Sequence, residues 1–235
     1  MLVTPSPAPA RAATGTRLTR GLLSAGAAGA VGTVVLFVAQ GAVRPGYDPI
    51  RHYVSQLSLG PGGWVQVGNF LATGILMICF ALGLRSALRA GPGAVWGPIL
   101  VAAFGLGLVV AGIFPADPGL GGYPPGSVIP ADSPTVAFRV HILGAVVVFT
   151  SLSAACLVLA RRFRRNPAWR GWAAYSVVTG VVVWVMWAGS TVLSGDGSAP
   201  IDAVVGLVQR VYLLIGFTWI ALVALRMRRT YVGRL

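Results

Sequence analysis

The chain contains no lysine and no glutamate, and only 10% of its residues are charged. Soluble globular domains carry about 25% charged residues, so this scarcity excludes an ordinary water-soluble fold. The two cysteines, Cys79 and Cys156, lie within apolar runs, which argues against a disulfide framework and favours packing roles. A Gly-x-Ser-x-Gly elbow, a P-loop and a dinucleotide fingerprint are also missing, which removes the enzyme classes that those motifs mark.

Long apolar runs dominate what is present. Hydrophobic residues make up 56% of the sequence, and the mean hydropathy is +0.79. A bilayer core of about 30 Å requires roughly 20 helical residues to cross it. We therefore predict an all-α, polytopic bundle of six transmembrane helices, at residues 21–43, 64–84, 94–114, 138–160, 171–193 and 203–225.

The segments that flank this transmembrane domain, residues 21–225, are short and polar. Residues 1–20 are rich in proline, alanine and threonine and show no apolar period, which predicts a disordered cytoplasmic tail. Residues 226–235 are predicted to form a basic cytoplasmic tail.

The arginines are distributed unequally between the two sides of the predicted bundle. Fourteen of the eighteen lie in the N-terminal tail, the C-terminal tail and the turns after the second and fourth helices. The five acidic residues lie in or beside the loops of the opposite side: Asp48, Asp117, Asp132, Asp196 and Asp202. Positively charged loops stay in the cytoplasm, so we expect both termini there and a multi-pass location in the cell membrane.

The net charge of +13 does not indicate nucleic-acid binding, because the arginines bracket apolar segments instead of covering one folded face. We expect membrane lipids as partners, with the cytoplasmic arginines on anionic headgroups. Small residues recur at four-residue spacing, which favours close packing of helices within the chain. A homodimer or a larger membrane complex is the alternative. The stripes are Ala25, Gly29 and Thr33, and Ala103, Gly107 and Ala111.

The first extracytoplasmic loop holds four candidate ligand-binding residues: Asp48, Arg51, His52 and Ser55. From Pro49 onward, apolar and polar residues recur at helical spacing. The pattern predicts a short amphipathic helix in the membrane interface, with Asp48 as its N-cap. This segment either contacts substrate as a lid or only seals the bundle.

The second extracytoplasmic loop leads from Asp117 to Arg139 and His141 at the start of the fourth helix. Residues two apart on a helix are rotated by about 200°, so these two side chains do not share a face. We expect His141 to point inward, where it acts either in catalysis or as a hydrogen-bond partner of a neighbouring helix.

The sixth helix carries Asp202, Gln209 and Arg210. Arg210 lies roughly 10 Å below the outer boundary at 1.5 Å per residue, where an arginine must be paired or must extend to the headgroups. We favour pairing, with Asp117 or Asp202 as partner. In the fifth helix, Trp184 and Trp187 either line an apolar pocket or pack in the core.

No metal site and no cofactor are predicted. His52, His141, Asp48 and Asp117 are potential zinc ligands, but their spacing matches no zinc-binding pattern. Haem ligation by two helical histidines is disfavoured because only His141 lies in a predicted span.

Four segments resemble an uncharacterised family of bacterial and archaeal membrane proteins, domain of unknown function 998. They are Pro45–Asp48 with Ser55–Gly60, Gly112–Asp117, His141 with Gly144, and Gly206–Arg210 followed by Trp219. The resemblance implies six helices and a shared polar cluster, but no activity. Gln56 and Gln209 stand where the family pattern has glutamate, which weakens any mechanism that needs a general acid there.

Three functions are compatible with these features. The first is a non-enzymatic membrane protein whose extracytoplasmic polar cluster binds a lipid or small solute. The second is an intramembrane enzyme acting on a lipid or isoprenoid, with Asp117 and His141 as acid and base and Arg210 binding a phosphate. The third is a structural subunit of a membrane assembly.

Overall fold

The structure is a computed structural model that describes residues 8–119, 123–127, 134–194 and 199–232. Within these ranges, six helices are long and apolar enough to cross a membrane. Their bounds are α1 Ala8–Val43, α2 Trp64–Ala87, α3 Trp96–Ile113, α4 Val136–Arg164, α5 Arg170–Leu193 and α6 Val205–Val232. The all-α, six-helix prediction is confirmed, whereas the orientation in the membrane stays a prediction.

The largest difference from the predicted boundaries is at the first helix. It begins at Ala8 rather than at residue 21, so residues 8–20, which we predict to be disordered, are helical. The segment is rich in alanine, and a helix already formed by the apolar run extends at low cost because each added residue gains a hydrogen bond. Asp132 and Asp196 lie outside the described residues.

The helices form a closed ring. Each helix packs against the next along the chain, and α6 packs back against α1. Because consecutive helices are neighbours, the arrangement is up-and-down. One end of the ring, which we call the basic end, carries the arginine-rich turns after α2 and α4. The other, the acidic end, carries loop 1 (residues 44–63), loop 2 (114–135) and loop 3 (194–204).

The middle of the ring is filled by large side chains. Phe104 of α3 meets Phe217 of α6 edge to face, with ring centroids 5.9 Å apart. The fully buried Trp219 donates its indole N–H to Ser176 Oγ of α5 over 2.9 Å, which satisfies both polar groups in the apolar interior. These contacts join α3, α5 and α6 across the interior of the ring.

The small-residue stripes serve contacts inside the chain. A Cβ on Gly29 would lie 2.7 Å from Met77 of α2, and a Cβ on Gly107 would lie 2.8 Å from the Gly144 carbonyl oxygen of α4. At Gly107 the backbone of α4 approaches too closely for a larger residue, whereas at Gly29 the close contact is with the flexible end of the Met77 side chain. The predicted packing within the chain is confirmed at these two glycines, and a homodimer contact stays a prediction.

Candidate functional site

Loop 1 begins with a single helical turn. Asp48 Oδ1 accepts the Ile50 N–H over 2.8 Å, and the Asp48 carbonyl accepts the His52 N–H, also over 2.8 Å. The chain then becomes extended at Tyr53 before a separate 3₁₀ helix at Val54–Ser58. The predicted cap at Asp48 is present, but the prediction of one continuous amphipathic helix is wrong. The carbonyl groups that would continue such a helix are bonded to α6 instead.

Arg210 of α6 makes these bonds. Its Nη1 donates to the carbonyl oxygens of Pro49 at 2.6 Å, His52 at 3.0 Å and Gly206 at 2.9 Å. Its Nη2 donates to the Tyr47 hydroxyl. Arg210 is thus paired inside the acidic end as predicted, but with backbone carbonyls and a phenol. Neither predicted aspartate is among its hydrogen-bond partners in the described part of the chain.

The residues of α6 that precede Arg210 bind the same loop. Gln209 Oε1 accepts the Val54 N–H at 2.5 Å, and the Leu207 N–H donates to the Ile50 carbonyl at 2.9 Å. A Cβ on Gly206 would lie 2.4 Å from the His52 carbonyl oxygen, so only glycine allows the loop backbone to lie on the helix. The segment Gly206–Arg210 is therefore a docking site for the backbone of loop 1.

A second arginine holds the other half of loop 1. Arg44, at the end of α1, donates to the carbonyl oxygens of Leu57 at 2.5 Å and Leu59 at 3.5 Å, and to that of Pro61. Arg44 is not one of the candidate site residues predicted from the sequence. Because bound carbonyl oxygens carry no sequence signature, nothing in the pattern indicated these contacts.

Tyr47 and His52 of loop 1 form an aromatic cluster with Tyr123 of loop 2. His52, which is 3% exposed, accepts the Asp48 N–H at Nδ1 over 2.8 Å. Its ring centroid lies 5.4 Å from those of Tyr47 and Tyr123. Loop 2 also packs closely on loop 1 at Gly46, where a Cβ would lie 2.4 Å from Pro125. The two loops therefore pack as layers over the end of α6.

Burial shifts the titration of two tyrosines in loop 1. Burial raises the pKa of Tyr47, and the charge and hydrogen bond of Arg210 oppose this rise without cancelling it. Burial also raises the pKa of Tyr53, whose hydroxyl lies 3.3 Å from Ser194 Oγ. The negative charge of Asp202, buried in the 3₁₀ turn at Pro200–Ala203, adds to this rise in pKa. Both phenols are therefore neutral well into the alkaline range.

Asp117 caps α4. Its Oδ2 accepts the Thr135 N–H at 2.8 Å and its Oδ1 accepts the Thr135 hydroxyl proton at 2.6 Å. Thr135 Oγ1 in turn accepts the Phe138 N–H at 3.1 Å as the N-cap of the helix. A carboxylate at a helix N-terminus is stabilised by the helix dipole. This arrangement gives Asp117 a structural role.

His141 and Arg139 point in different directions, as their spacing predicts. His141 is 5% exposed, and its Nδ1 lies 2.8 Å from the Phe114 carbonyl oxygen at the end of α3. A carbonyl oxygen only accepts, so Nδ1 carries the proton and Nε2 is the acceptor of the neutral ring. Arg139 is exposed, and its Nε donates to the Pro134 carbonyl at 3.2 Å.

A cavity of about 280 Å³ opens in the ring between this histidine and loop 1. Its deep part is lined by apolar side chains, among them Phe70, Leu108, Ala145, Phe149 and Phe217. The polar lining residues are Tyr53, Ser55, His141, Thr191, Ser194, Gln209 and Tyr212. The cavity thus has a polar side under loop 1 and an apolar interior.

The cavity separates the predicted site residues into two groups. Those that line it are Ser55, His141, Trp187 and Gln209. Those that do not are Asp48, Arg51, His52, Asp117, Arg139, Trp184, Asp202 and Arg210. Of the three residues proposed for an enzyme, only His141 lines the cavity. Within the described residues, no three His, Cys, Asp or Glu side chains come close enough to bind a metal ion.

The two tryptophans of α5 have different environments. Trp187 stacks on Phe149 with ring centroids 5.3 Å apart, whereas Trp184 is 47% exposed on the outside of the ring. Arg51 of loop 1, another candidate residue, is likewise exposed and does not line the cavity. Of the two alternatives for the pair, Trp187 lines the cavity, whereas the exposed Trp184 fits neither pocket lining nor core packing.

The sequence analysis missed a buried polar ladder between α1 and α2. Gln40 Nε2 donates to Gln66 Oε1 at 2.8 Å, Asn69 Nδ2 donates to the same oxygen at 3.3 Å, and Thr73 donates to Asn69 Oδ1 at 3.3 Å. All four residues are at most 7% exposed. In α2, Gln66, Asn69 and Thr73 are three and four residues apart and so lie on one face of the helix. This spacing could have indicated the ladder, since polar side chains in a transmembrane span face the bundle interior.

Comparison with known proteins places the chain in one family. The search of curated proteins and the search of solved structures each returned no match. The family described as protein of unknown function (DUF998) matches residues 10–226. That match extends from α1 almost to the end of α6, so it covers the whole ring. The chain therefore belongs to the DUF998 family of multi-pass membrane proteins.

Proposed function

We propose that the cavity beneath loop 1 binds a small amphipathic molecule, with its apolar part inside the ring and its polar group under Tyr53 and Gln209. The polarity of the lining is the observation that carries this proposal. Small-molecule sites enclose about 300–1,000 Å³, are mainly apolar and contain a few placed polar groups. The volume of about 280 Å³ is at the lower limit, so the occupant is a small molecule or one chain of a lipid.

The residues that line the cavity also favour entry of the ligand through the side of the ring, between α4 and α5. Ile142 of α4 is 41% exposed and Thr191 of α5 is exposed, yet both line the cavity. From Gln209 to Phe217 the cavity follows α6 for about 12 Å at 1.5 Å per residue. A chain that enters between α4 and α5 would therefore lie along α6 with its polar end toward loop 1.

We propose that His141 orients the occupant of the cavity through a hydrogen bond. Its Nδ1 proton is bound to the Phe114 carbonyl, so Nε2 accepts a hydrogen bond from a hydroxyl or amide of the occupant. Tyr53 is neutral at physiological pH, as a phenol is even at its ordinary pKa of 10.0, and its hydroxyl can donate. An uncharged hydroxylated lipid or isoprenoid alcohol satisfies both groups.

The enzymatic alternative has weaker support. It requires Asp117, His141 and Arg210 at one place, but Asp117 caps α4 and Arg210 holds loop 1. We also propose that the acidic end faces the cell exterior and that the membrane is the plasma membrane, from the placement of the arginines. Reporter fusions at the C-terminus test this orientation, and a C-terminal tail outside the cell would contradict it.

The binding proposal is tested by filling the cavity. Ala145→Phe places a phenyl group inside it, whereas Val146→Phe adds the same group at an exposed neighbouring position of α4. We expect wild type and Val146→Phe to copurify with a hydrophobic molecule that mass spectrometry of the extract identifies, and Ala145→Phe to lose it. Equal retention by Ala145→Phe would contradict the proposal.

A second comparison separates binding from catalysis. His141→Leu preserves the approximate volume of the side chain but removes the acceptor at Nε2. We expect weaker retention of the copurified molecule and unchanged cellular lipids. A lipid that accumulates in both a deletion strain and a His141→Leu strain would instead support the enzyme.

A further inference from the structure

A second cavity lies at the basic end of the ring, far from the site of the proposed function. It has a volume of about 260 Å³ and lies between the α2–α3 turn and the α4–α5 turn, beside the end of α6. Its polar lining residues are Arg162, Arg165, Asn166 and Thr230. Its apolar lining residues include Leu88, Phe163, Trp169 and Met227.

The charge around this cavity has one sign. The two lining arginines lie among the basic residues at the end of α4 and in the turn after it, and the aspartates that the structure describes, Asp48, Asp117 and Asp202, lie at the opposite end. Arg162 Nη1 donates to the carbonyl oxygens of Ala90 at 2.8 Å and Pro92 at 3.3 Å, which fixes it against the α2–α3 turn. The exposed guanidinium of Arg165 has no hydrogen-bond partner among the described residues. The cavity therefore favours an anion.

Aromatic residues make one wall of the cavity rigid. Trp169 stacks on Phe163 with ring centroids 4.7 Å apart. On its other side, the guanidinium carbon of Arg226 lies 4.5 Å from the centroid of Trp169 and 4.9 Å from that of Trp172. Arg226 Nη2 also donates to the Ala168 carbonyl at 2.7 Å. The wall is ordered without any ligand, which lowers the entropy cost of binding.

We propose that this cavity binds the phosphate group of an anionic phospholipid. Arginine suits this role because its planar donors match phosphate oxygens, and basic pockets between transmembrane helices favour anionic headgroups. The apolar lining favours a lipid over free phosphate. Leu88, Phe163 and Met227 can pack against the apolar part of a lipid, whereas they would only remove water from an inorganic ion. The proposal does not depend on the occupant of the acidic-end cavity.

The test compares two neighbouring arginines. Arg165→Gln removes a charge that lines the cavity, whereas Arg164→Gln removes the same charge from an exposed residue that does not. The full chain in detergent is titrated with dioleoyl phosphatidylglycerol and, separately, with dioleoyl phosphatidylcholine. Native mass spectrometry gives the dissociation constants, and thermal unfolding verifies that both variants are folded.

We expect wild type to bind phosphatidylglycerol at least about tenfold more tightly than phosphatidylcholine. Arg165→Gln should weaken phosphatidylglycerol binding by about fivefold, and Arg164→Gln should leave it within about twofold. Equal binding of both lipids, or equal losses in the two variants, would overturn the proposal. Inorganic phosphate that displaces the lipid at millimolar concentration, with the same dependence on Arg165, would assign the site to free phosphate and overturn the lipid.

Discussion

Arg210 Nη1 lies 3.0 Å from the His52 carbonyl oxygen, and this contact joins the first loop of the acidic end to the last transmembrane helix. The two residues are far apart in the sequence. Because the contact uses a backbone carbonyl, it depends on the conformation of the loop rather than on the identity of residue 52. Arg210 therefore determines where loop 1 lies over the cavity.

Replacement of Arg210 should destabilise the protein and release loop 1. We expect Arg210→Ala to lower the free energy of unfolding by about 3 kcal/mol, because three backbone carbonyls and the Tyr47 hydroxyl, most of them partly buried, lose a charged donor. Arg210→Lys should lose most of this stability as well, since an ammonium group cannot reproduce the planar fork. Unfolding in detergent and amide exchange of residues 50–56 measure both effects.

Arg51→Ala is the matched control for these variants. It removes an arginine from the same loop, but one that is exposed, and should change the free energy of unfolding by less than about 0.5 kcal/mol. Equal losses for Arg51→Ala and Arg210→Ala would show that charge alone, and not the contact with loop 1, is responsible.

Substitution of Gly206 should displace the same loop without altering any polar group. A Cβ there would lie 2.4 Å from the His52 carbonyl oxygen, so Gly206→Ala should cost about 1–3 kcal/mol. At Gly189 of α5 a Cβ meets nothing within 4 Å, and Gly189→Ala should be neutral or slightly stabilising. Thermal unfolding of the two variants provides the comparison, and the reverse order would contradict the packing of loop 1 on α6.

Alkaline pH should destabilise the protein through the tyrosines of loop 1. Burial raises the pKa of Tyr47 and Tyr53 above the ordinary value of 10.0, so the folded state favours the neutral phenol. The stability that the two neutral tyrosines contribute to the folded state is fully present below about pH 10. It is lost as the pH rises through their raised pKa values. Tyr53→Phe should flatten the dependence of the unfolding temperature on pH above pH 10. An identical slope in wild type and Tyr53→Phe would exclude this role.

The polar ladder between α1 and α2 should behave as a coupled unit. Gln66→Leu leaves the Gln40 amide and the Asn69 amide without their shared acceptor, which should cost about 1–3 kcal/mol. The double variant Gln40→Leu, Gln66→Leu should regain part of this loss because it removes a buried group that lacks a partner. Strictly additive losses in the double-mutant cycle would show that the two glutamines do not interact.

Much of the fold could be predicted because its cause is local. Six runs of hydrocarbon length specify six helices whatever their neighbours are, and the stripe at Gly29 indicated close packing that α2 supplies. Helical spacing also predicted that His141 and Arg139 face different directions, and His141 was expected to point inward because a histidine gains nothing from facing lipid. Loop 1 could not be predicted in this way, since its helical turn ends where the backbone of His52 binds α6.

The sequence by itself determined the number of helices, their approximate ends and the separation of arginines from aspartates, because these depend on hydropathy and residue order. Only the tertiary structure decided that Arg210 binds carbonyl oxygens, that Asp117 caps α4 and that His141 and Trp187 line one cavity. Those partners come from different helices and from backbone atoms. Whether these groups come into contact depends on how the helices pack into the ring. The residue pattern of a single segment does not determine that packing.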